Sequence, residues 1–194
     1  MSTLRPVLAS LPHLPPLARL DVMPLGVAGL EARLRPLPAP LRAEVTALRA
    51  RLWQGASVSL HGAAALVARH WDEIRYGFAA LRARRLGWSA AAFQARHPAA
   101  PPVFAARWER PDLGRAWLGE AATMLAAGGA ADLERLRLAL FAERLHRIAF
   151  ARSPDELRLV ATVARWDAAE RWLRSGGPDA ADRLARIGQG KAHG

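Results

Sequence analysis

The chain has 194 residues, of which 52% are hydrophobic, and it contains seven Trp and no Cys. This composition excludes a generically disordered chain, and the lack of Cys excludes disulfides, cysteine zinc sites and thiol nucleophiles. No apolar run approaches the roughly 18 residues that span a bilayer, and prolines interrupt the N-terminal apolar stretch. We therefore expect a cytoplasmic protein with no signal peptide and no membrane association.

The formal net charge of +11 predicts an acidic partner, most simply nucleic acid. The alternative is a compositional bias of the source genome, because Ala, Arg, Leu, Gly and Pro are abundant while Lys191 is the single Lys. The charge is nevertheless uneven: it is +4 over residues 1–53, +5 over 61–115 and +1 over 116–174. This distribution favours a basic binding half followed by a charge-balanced helical half.

Residues 1–40 hold eight of the fourteen prolines, in a context rich in Leu and Ala. Proline at this density prevents long helices and strands, so the segment is predicted to be a Pro/Leu-rich extended arm in which only Leu25–Leu34 forms a short helix. Two interpretations stay open, a disordered tail and an arm that wraps around a partner.

A basic helical domain is predicted over residues 41–127. Its first helix covers Leu41–Trp53 and is followed by Gly55, and Ser57 or Ser59 is expected to cap a second helix. The two acids that follow His70 would suit the positive end of a helix dipole. A new helix is therefore expected to start near His70.

Residues 70–97 have the outline of a helix-turn-helix. Gly87 can adopt a positive φ where the first helix stops, Ser89 can cap a short second helix over Ala90–Arg96, and Pro98 ends that helix. The first helix is indicated by apolar residues that repeat at the three- and four-residue spacing of one helix face: Trp71, Ile74, Phe78 and Leu81.

The residues around Gly87 are small or apolar at most positions where a helix-turn-helix requires it, but Arg82 and Arg96 stand where apolar residues are usual. If the second helix enters a DNA groove, arginines on phosphates should dominate, with weak base readout by Ser89 and Gln94. The predicted DNA-binding residues are Arg82, Arg84, Arg85, Ser89, Gln94, Arg96 and Arg107. The alternative is an ordinary helical corner inside a bundle.

Two more helices, Val103–Glu109 and Arg115–Ala127, are predicted to complete this domain. Residues 131–174 should then form a long antiparallel helical hairpin that drives self-association. Its second arm begins at Ser153-Pro154-Asp155-Glu156, which has the pattern of a capping box with Ser153 as the N-cap.

A short helix, Asp179–Ile187, and a flexible tail are expected within residues 175–194. The predicted fold class is all-α, with a helix-turn-helix-like domain followed by the hairpin.

The order of a helix-turn-helix, the segment Pro102-Val103-Phe104-Ala105-Ala106-Arg107-Trp108 and a helical hairpin resembles the small terminase subunits of tailed phages. In that family a Pro-x-Phe-Ala-x-x-Trp pattern often follows the recognition helix. The resemblance covers residues 70–175, and it implies a non-catalytic, ring-forming protein that holds viral DNA for a packaging motor. It also suits DNA-transfer accessory proteins of plasmids. The Pro98–Pro102 insertion and residues 1–40 depart from the family pattern.

Catalytic patterns are weak. Glu143 and His146 have the spacing of a di-iron helix motif, but a second copy of that motif is missing, so we expect no metal and no cofactor. The first hypothesis is a non-enzymatic protein that binds double-stranded DNA through residues 57–110. The second is a helical adaptor whose Pro/Leu-rich arm docks on another protein, and the third is an enzyme with an unrecognised site.

Overall fold

The computed structural model describes residues 4–127 and 130–175. Within them the chain forms nine α-helices, one short 3₁₀ turn at Leu17–Arg19 and no β-strand, so the all-α prediction is confirmed. None of these helices combines the length and apolar character of a membrane span. The predicted helix Asp179–Ile187 lies outside the described residues. The helices are α1 (Leu4–Ser10), α2 (Val27–Leu34), α3 (Ala39–Gln54), α4 (Gly62–Arg85), α5 (Ala90–Arg96), α6 (Pro102–Ala106), α7 (Ala116–Ala127), α8 (Ala130–Phe150) and α9 (Asp155–Arg174).

Helix α9 is the centre of the molecule. Its middle is buried on every face, because all residues from Leu159 to Ala169 except the half-buried Thr162 are buried. Helix α8 makes the most extensive contact with α9, and α1, α3 and α4 also pack against α9. The two buried polar residues of α9, Arg165 and Asp167, each have partners on the elements that cover it.

Helices α8 and α9 are joined by residues 151–154, and a connection this short between packed helices makes them antiparallel. The predicted cap by Ser153 is wrong, because α9 begins at Asp155 and Pro154 occupies the capping position with no side-chain hydrogen bond. Pro154 has a ψ of 143°, outside the helical range, so the helix starts one residue later than predicted and Ser153 lies one residue too far from it. The role of the hairpin in self-association stays a prediction.

Residues 4–40 differ from the extended arm predicted. They contain α1 and α2, and their leucines pack on the core instead of lying free. Between these helices Leu recurs at every third residue around the prolines, which places the leucines on one side of a chain with about three residues per turn. The buried leucines of this segment are Leu11, Leu14, Leu17, Leu20, Leu30, Leu34 and Leu37.

Helix α4 runs through His70 without a break, so the predicted helix start at that position is wrong. The helix starts at Gly62, and neither Ser57 nor Ser59 caps it. The two acids that suggested a helix start are ion-paired with arginines of other elements: Asp72 with Arg51 at 2.7 Å, and Glu73 with Arg115 and Arg144 at 2.9 Å each. These two acids therefore form ion pairs with distant parts of the chain and do not mark the start of a helix.

Candidate nucleic-acid interface

The corner between α4 and α5 has the local geometry that its residues predict. Gly87 adopts a φ of +77°, and the Trp88 N–H donates to the Ala83 carbonyl at 3.0 Å, which closes the end of α4. The Ser89 hydroxyl accepts a hydrogen bond from the Ala92 N–H at 3.1 Å and caps α5. Residues 86–89 therefore end α4 and start a second helix of seven residues.

A small aromatic cluster packs against the buried side of α5. The buried Phe93 ring lies 5.3 Å from the Trp108 ring, and the Trp108 indole N–H donates to the Trp88 carbonyl at 3.1 Å. Helix α5 packs against α6, which carries the buried Phe104. These contacts fix α5 at the surface with its other side open to solvent.

The two residues predicted to lie nearest to bases are engaged within the protein. The Gln94 amide nitrogen lies 3.4 to 3.5 Å from the carbonyls of His97, Pro98 and Ala100, across the turn that follows α5. The Ser89 hydroxyl is used as the cap. The outward residues of α5 include the exposed Ala91, Ala92 and Ala95, which can offer a thymine methyl group only apolar contact. The geometry therefore offers little for base-specific readout.

Three of the predicted arginines donate to backbone carbonyls. Arg84 donates to Arg110 and Pro111, Arg85 donates to Leu125, and Arg107 lies 3.4 Å from the Gly114 carbonyl. These bonds tie the end of α4 to the loop before α7 and to the end of α7. A guanidinium has five N–H donors, so each of these side chains keeps donors for an external oxyanion.

Arg82 and Arg96 are exposed, and neither forms a hydrogen bond or an ion pair with a described residue. Arg82 lies near Arg75, one heptad earlier on α4, and near Arg137 on α8. Burial and the charges of Arg82 and Arg75 lower the pKa of Arg137, although Glu134 opposes the shift. Arg75 and Arg137 are paired with Asp72 and Glu134, whereas Arg82 has no carboxylate partner among the described residues.

Sequence reasoning missed Arg110 and the neighbourhood of Arg75. Arg110 is exposed in the loop after α6 and has no ion-pair partner in the described part of the chain. The seven-residue spacing of Arg75 and Arg82 predicts that the two side chains lie on one face of a helix, so the sequence could have indicated this neighbourhood.

Carboxylates are scarce around this corner. Among the residues that the structure describes, none of the six arginines from 82 to 110 has a carboxylate oxygen within 4.0 Å. The second half of the chain differs, because six of its nine arginines are paired: Arg135, Arg137, Arg144, Arg147, Arg158 and Arg174. Arginines at the end of α4 also suit the negative end of the helix dipole, which accounts for part of the placement of Arg82, Arg84 and Arg85.

The Glu143–His146 pair is not part of a ligand cluster. Glu143 is exposed and pairs with Arg147 at 3.1 Å, and no group of three or more potential metal ligands occurs within residues 4–127 and 130–175. Burial, followed by the charge of Arg165, lowers the pKa of His146.

Comparison of the chain with protein-family models, with curated proteins and with solved structures finds no match.

Proposed function

We propose that this protein binds double-stranded DNA through phosphate contacts made by the arginine corner, defined as Arg82, Arg84, Arg85, Arg96, Arg107 and Arg110. The observation that carries the proposal is that this run of arginines has no carboxylate partner among the described residues. Guanidinium groups without a carboxylate partner are suited to phosphate oxygens, which they can bind in a bidentate manner.

The proposed mode is backbone binding with weak sequence preference. Phosphate contacts set affinity and orientation, whereas sequence is read by side chains that reach base edges. Gln94 is held by the turn after α5, and the exposed face of α5 carries alanines. The protein should therefore bind unrelated duplexes of equal length with similar affinity.

A mobility-shift titration at two salt concentrations tests the proposal. Five phosphate contacts should make log K fall with log salt at a slope of about −4 to −5. Replacing Arg82, Arg96 and Arg110 with Ala should reduce the size of that slope by about 2.7, because each lost phosphate contact removes about 0.9. Absence of binding at low salt would contradict the proposal.

A matched control removes the same charge elsewhere. Arg19, Arg35 and Arg42 are also exposed and have no ion-pair partner in the described chain, so their triple replacement with Ala lowers the net charge equally. This control should retain most of the salt dependence. Equal losses for the two triple variants would show that the charge acts generally and that the arginine corner is not the site.

A role in DNA packaging or transfer is the finer part of this proposal. It depends on the resemblance to small terminase subunits, and it requires an oligomer in which several arginine corners face one duplex. Light scattering measures the mass of the free protein and of its DNA complex, and a monomer in both states would remove this finer part while leaving DNA binding intact.

The adaptor hypothesis receives less support. The leucines expected to dock on another protein are buried against α9 and its neighbours, so they are not available to a partner while the N-terminal segment stays packed.

A further inference from the structure

A cleft of about 430 Å³ lies between the N-terminal segment, the end of α8 and the first half of α9. This volume is within the range of small-molecule binding sites. Apolar side chains form much of its wall, including Leu8, Leu11, Phe150 and Trp166. The cleft is on the arm side of α9 and includes no member of the arginine corner.

Arg165 lies at the inner wall of this cleft and is only 4% exposed. Its Nη2 donates to the carbonyls of Leu14 and Pro15, both at 2.8 Å, which fixes the guanidinium. Its Nε is fully buried without a hydrogen-bond partner. Its Nη1 also lacks a partner among the described residues but is not one of the fully buried nitrogens, so this edge of the guanidinium is accessible from the two clefts that Arg165 lines.

Arg165 has no direct ion-pair partner among the described residues, although the charge of Glu143 acts on it from farther away. No carboxylate oxygen of the described chain lies within 4.0 Å of it, in contrast to Arg49, which contacts α9 through a bidentate pair with Asp167. A buried ion without a partner destabilises the folded state, because it loses its hydration without gaining a counter-charge. The Nη2 group of Arg165 donates to two carbonyls, but a neutral side-chain donor could make the same hydrogen bonds. These bonds therefore do not explain why the buried residue is charged.

Of the two clefts that Arg165 lines, the first favours an anion more than the second. At the mouth of the cleft, Asp155 is shared between Arg5 at 3.0 Å and Arg158 at 3.5 Å, so two cations face one carboxylate. A second cleft on the other side of Arg165 is lined by Glu120 and Glu143, which would repel an anion. The first cleft therefore combines the Arg165 guanidinium and an apolar wall with a single carboxylate that is already paired.

We propose that this cleft binds a monocarboxylic acid with an apolar tail, with the carboxylate on Arg165 and the tail along Leu8, Leu11 and Phe150. One carboxylate neutralises one buried guanidinium, whereas a dianion would leave a buried negative charge. A purely polar acid would leave the apolar wall uncovered, and a neutral lipid would leave Arg165 unpaired.

Calorimetric titration of the full chain with decanoate, below its micellar concentration, tests this inference. Acetate has the charge without the tail and decanol has the tail without the charge, so both should bind at least about 10-fold more weakly than decanoate. Arg165→Met should weaken decanoate binding by about 10- to 100-fold, as expected for loss of a hydrogen bond to a charged group. Arg147→Met, on the exposed face of α8, is the matched control and should leave binding unchanged.

A second variant keeps the test decisive if Arg165→Met fails to fold. Ala9 is exposed on α1 and lines the cleft, so Ala9→Trp should fill the cavity while leaving Arg165 in place. Decanoate binding should be lost in this variant. The inference is overturned if decanoate does not bind the wild-type chain, if decanol binds as tightly as decanoate, or if Ala9→Trp binds decanoate normally.

Discussion

Replacing Asp167 with Asn should destabilise the fold more than any other loss of a single carboxylate on α9. The Asp167 side chain is 8% exposed and forms a bidentate pair with Arg49, with both nitrogen–oxygen distances at 2.8 Å. It also accepts a hydrogen bond from the Trp53 indole N–H at 3.3 Å. This cluster connects α3 to the central helix.

The magnitude follows from what each partner loses. Breaking a buried ion pair by removing one charge costs about 3–5 kcal/mol. Arg49 also pairs with Glu31, and its side chain is 25% exposed, so it retains part of its compensation. We therefore expect Asp167→Asn to lower the free energy of unfolding by about 2–3 kcal/mol.

Urea unfolding followed by circular dichroism measures this loss as a lower midpoint with an unchanged slope. The matched control is Glu170→Gln, which removes a carboxylate from the same helix where Glu170 forms an exposed pair with Arg174, and it should cost no more than about 0.5 kcal/mol. A double-mutant cycle with Arg49→Met should give a coupling energy of more than about 1 kcal/mol. Equal costs for Asp167→Asn and Glu170→Gln would refute the reasoning.

Two other substitutions test the packing and the titration of α4. A Cβ at Gly77 would lie 2.8 Å from the Trp117 ring, so Gly77→Ala should destabilise by up to about 2 kcal/mol in urea unfolding, since overpacking exceeds the gain in helix propensity. Gly119→Ala, which meets no atom within 4 Å, should instead stabilise, and the same sign for both would contradict this account. Burial and the charge of Arg144 lower the pKa of His70, against the opposing charge of Glu73, so the folded state disfavours protonation. Stability should therefore fall as pH decreases below about 6.5, with a slope of up to about 1.4 kcal/mol per pH unit, and His70→Gln should reduce that slope in unfolding curves from pH 7 to 5.

Features set by neighbouring residues were predictable from the sequence. The turn at Gly87 and the cap by Ser89 depend on the backbone freedom of one residue and the hydroxyl of another, and both occur as predicted. The start of α4 was not predictable in this way. Asp72 and Glu73 resemble a helix start locally, and their actual partners come from residues far away in the chain.

The N-terminal segment shows a second limit. Its single predicted helix, Leu25–Leu34, occurs as α2 (Val27–Leu34), but α1 (Leu4–Ser10) was not predicted. Whether such a segment stays free depends on the surface available to it. That surface belongs to α9, about 150 residues later, where Arg165 also holds the carbonyls of Leu14 and Pro15. The three-residue spacing of Leu11, Leu14, Leu17 and Leu20 gives the segment one apolar side, but the helix that covers this side lies far away in the chain.

A compositional bias of the genome can explain the high arginine content of this chain. It does not explain why acidic residues are fewer in residues 61–115 than in residues 116–174. Residues 61–115 and 116–174 contain nine arginines each, but the first segment has four acidic residues and the second has eight. The bias toward Arg is therefore equal in the two halves, and the scarcity of carboxylates is what leaves the arginine corner unpaired. Such a scarcity is expected of a phosphate-binding surface, because a nearby carboxylate would compete for the guanidinium groups.

Adding an acid to the corner tests this argument directly. Ala91 is exposed in the first turn of α5, where Glu is favourable to the helix, so Ala91→Glu should leave thermal stability unchanged or slightly higher. It should nevertheless weaken DNA binding in low-salt mobility shifts by roughly the amount that one arginine replacement does, while Ala91→Gln should bind like the wild type. If Ala91→Glu binds DNA as tightly as Ala91→Gln, α5 lies outside the contact surface and the lack of acids around it has no connection with DNA.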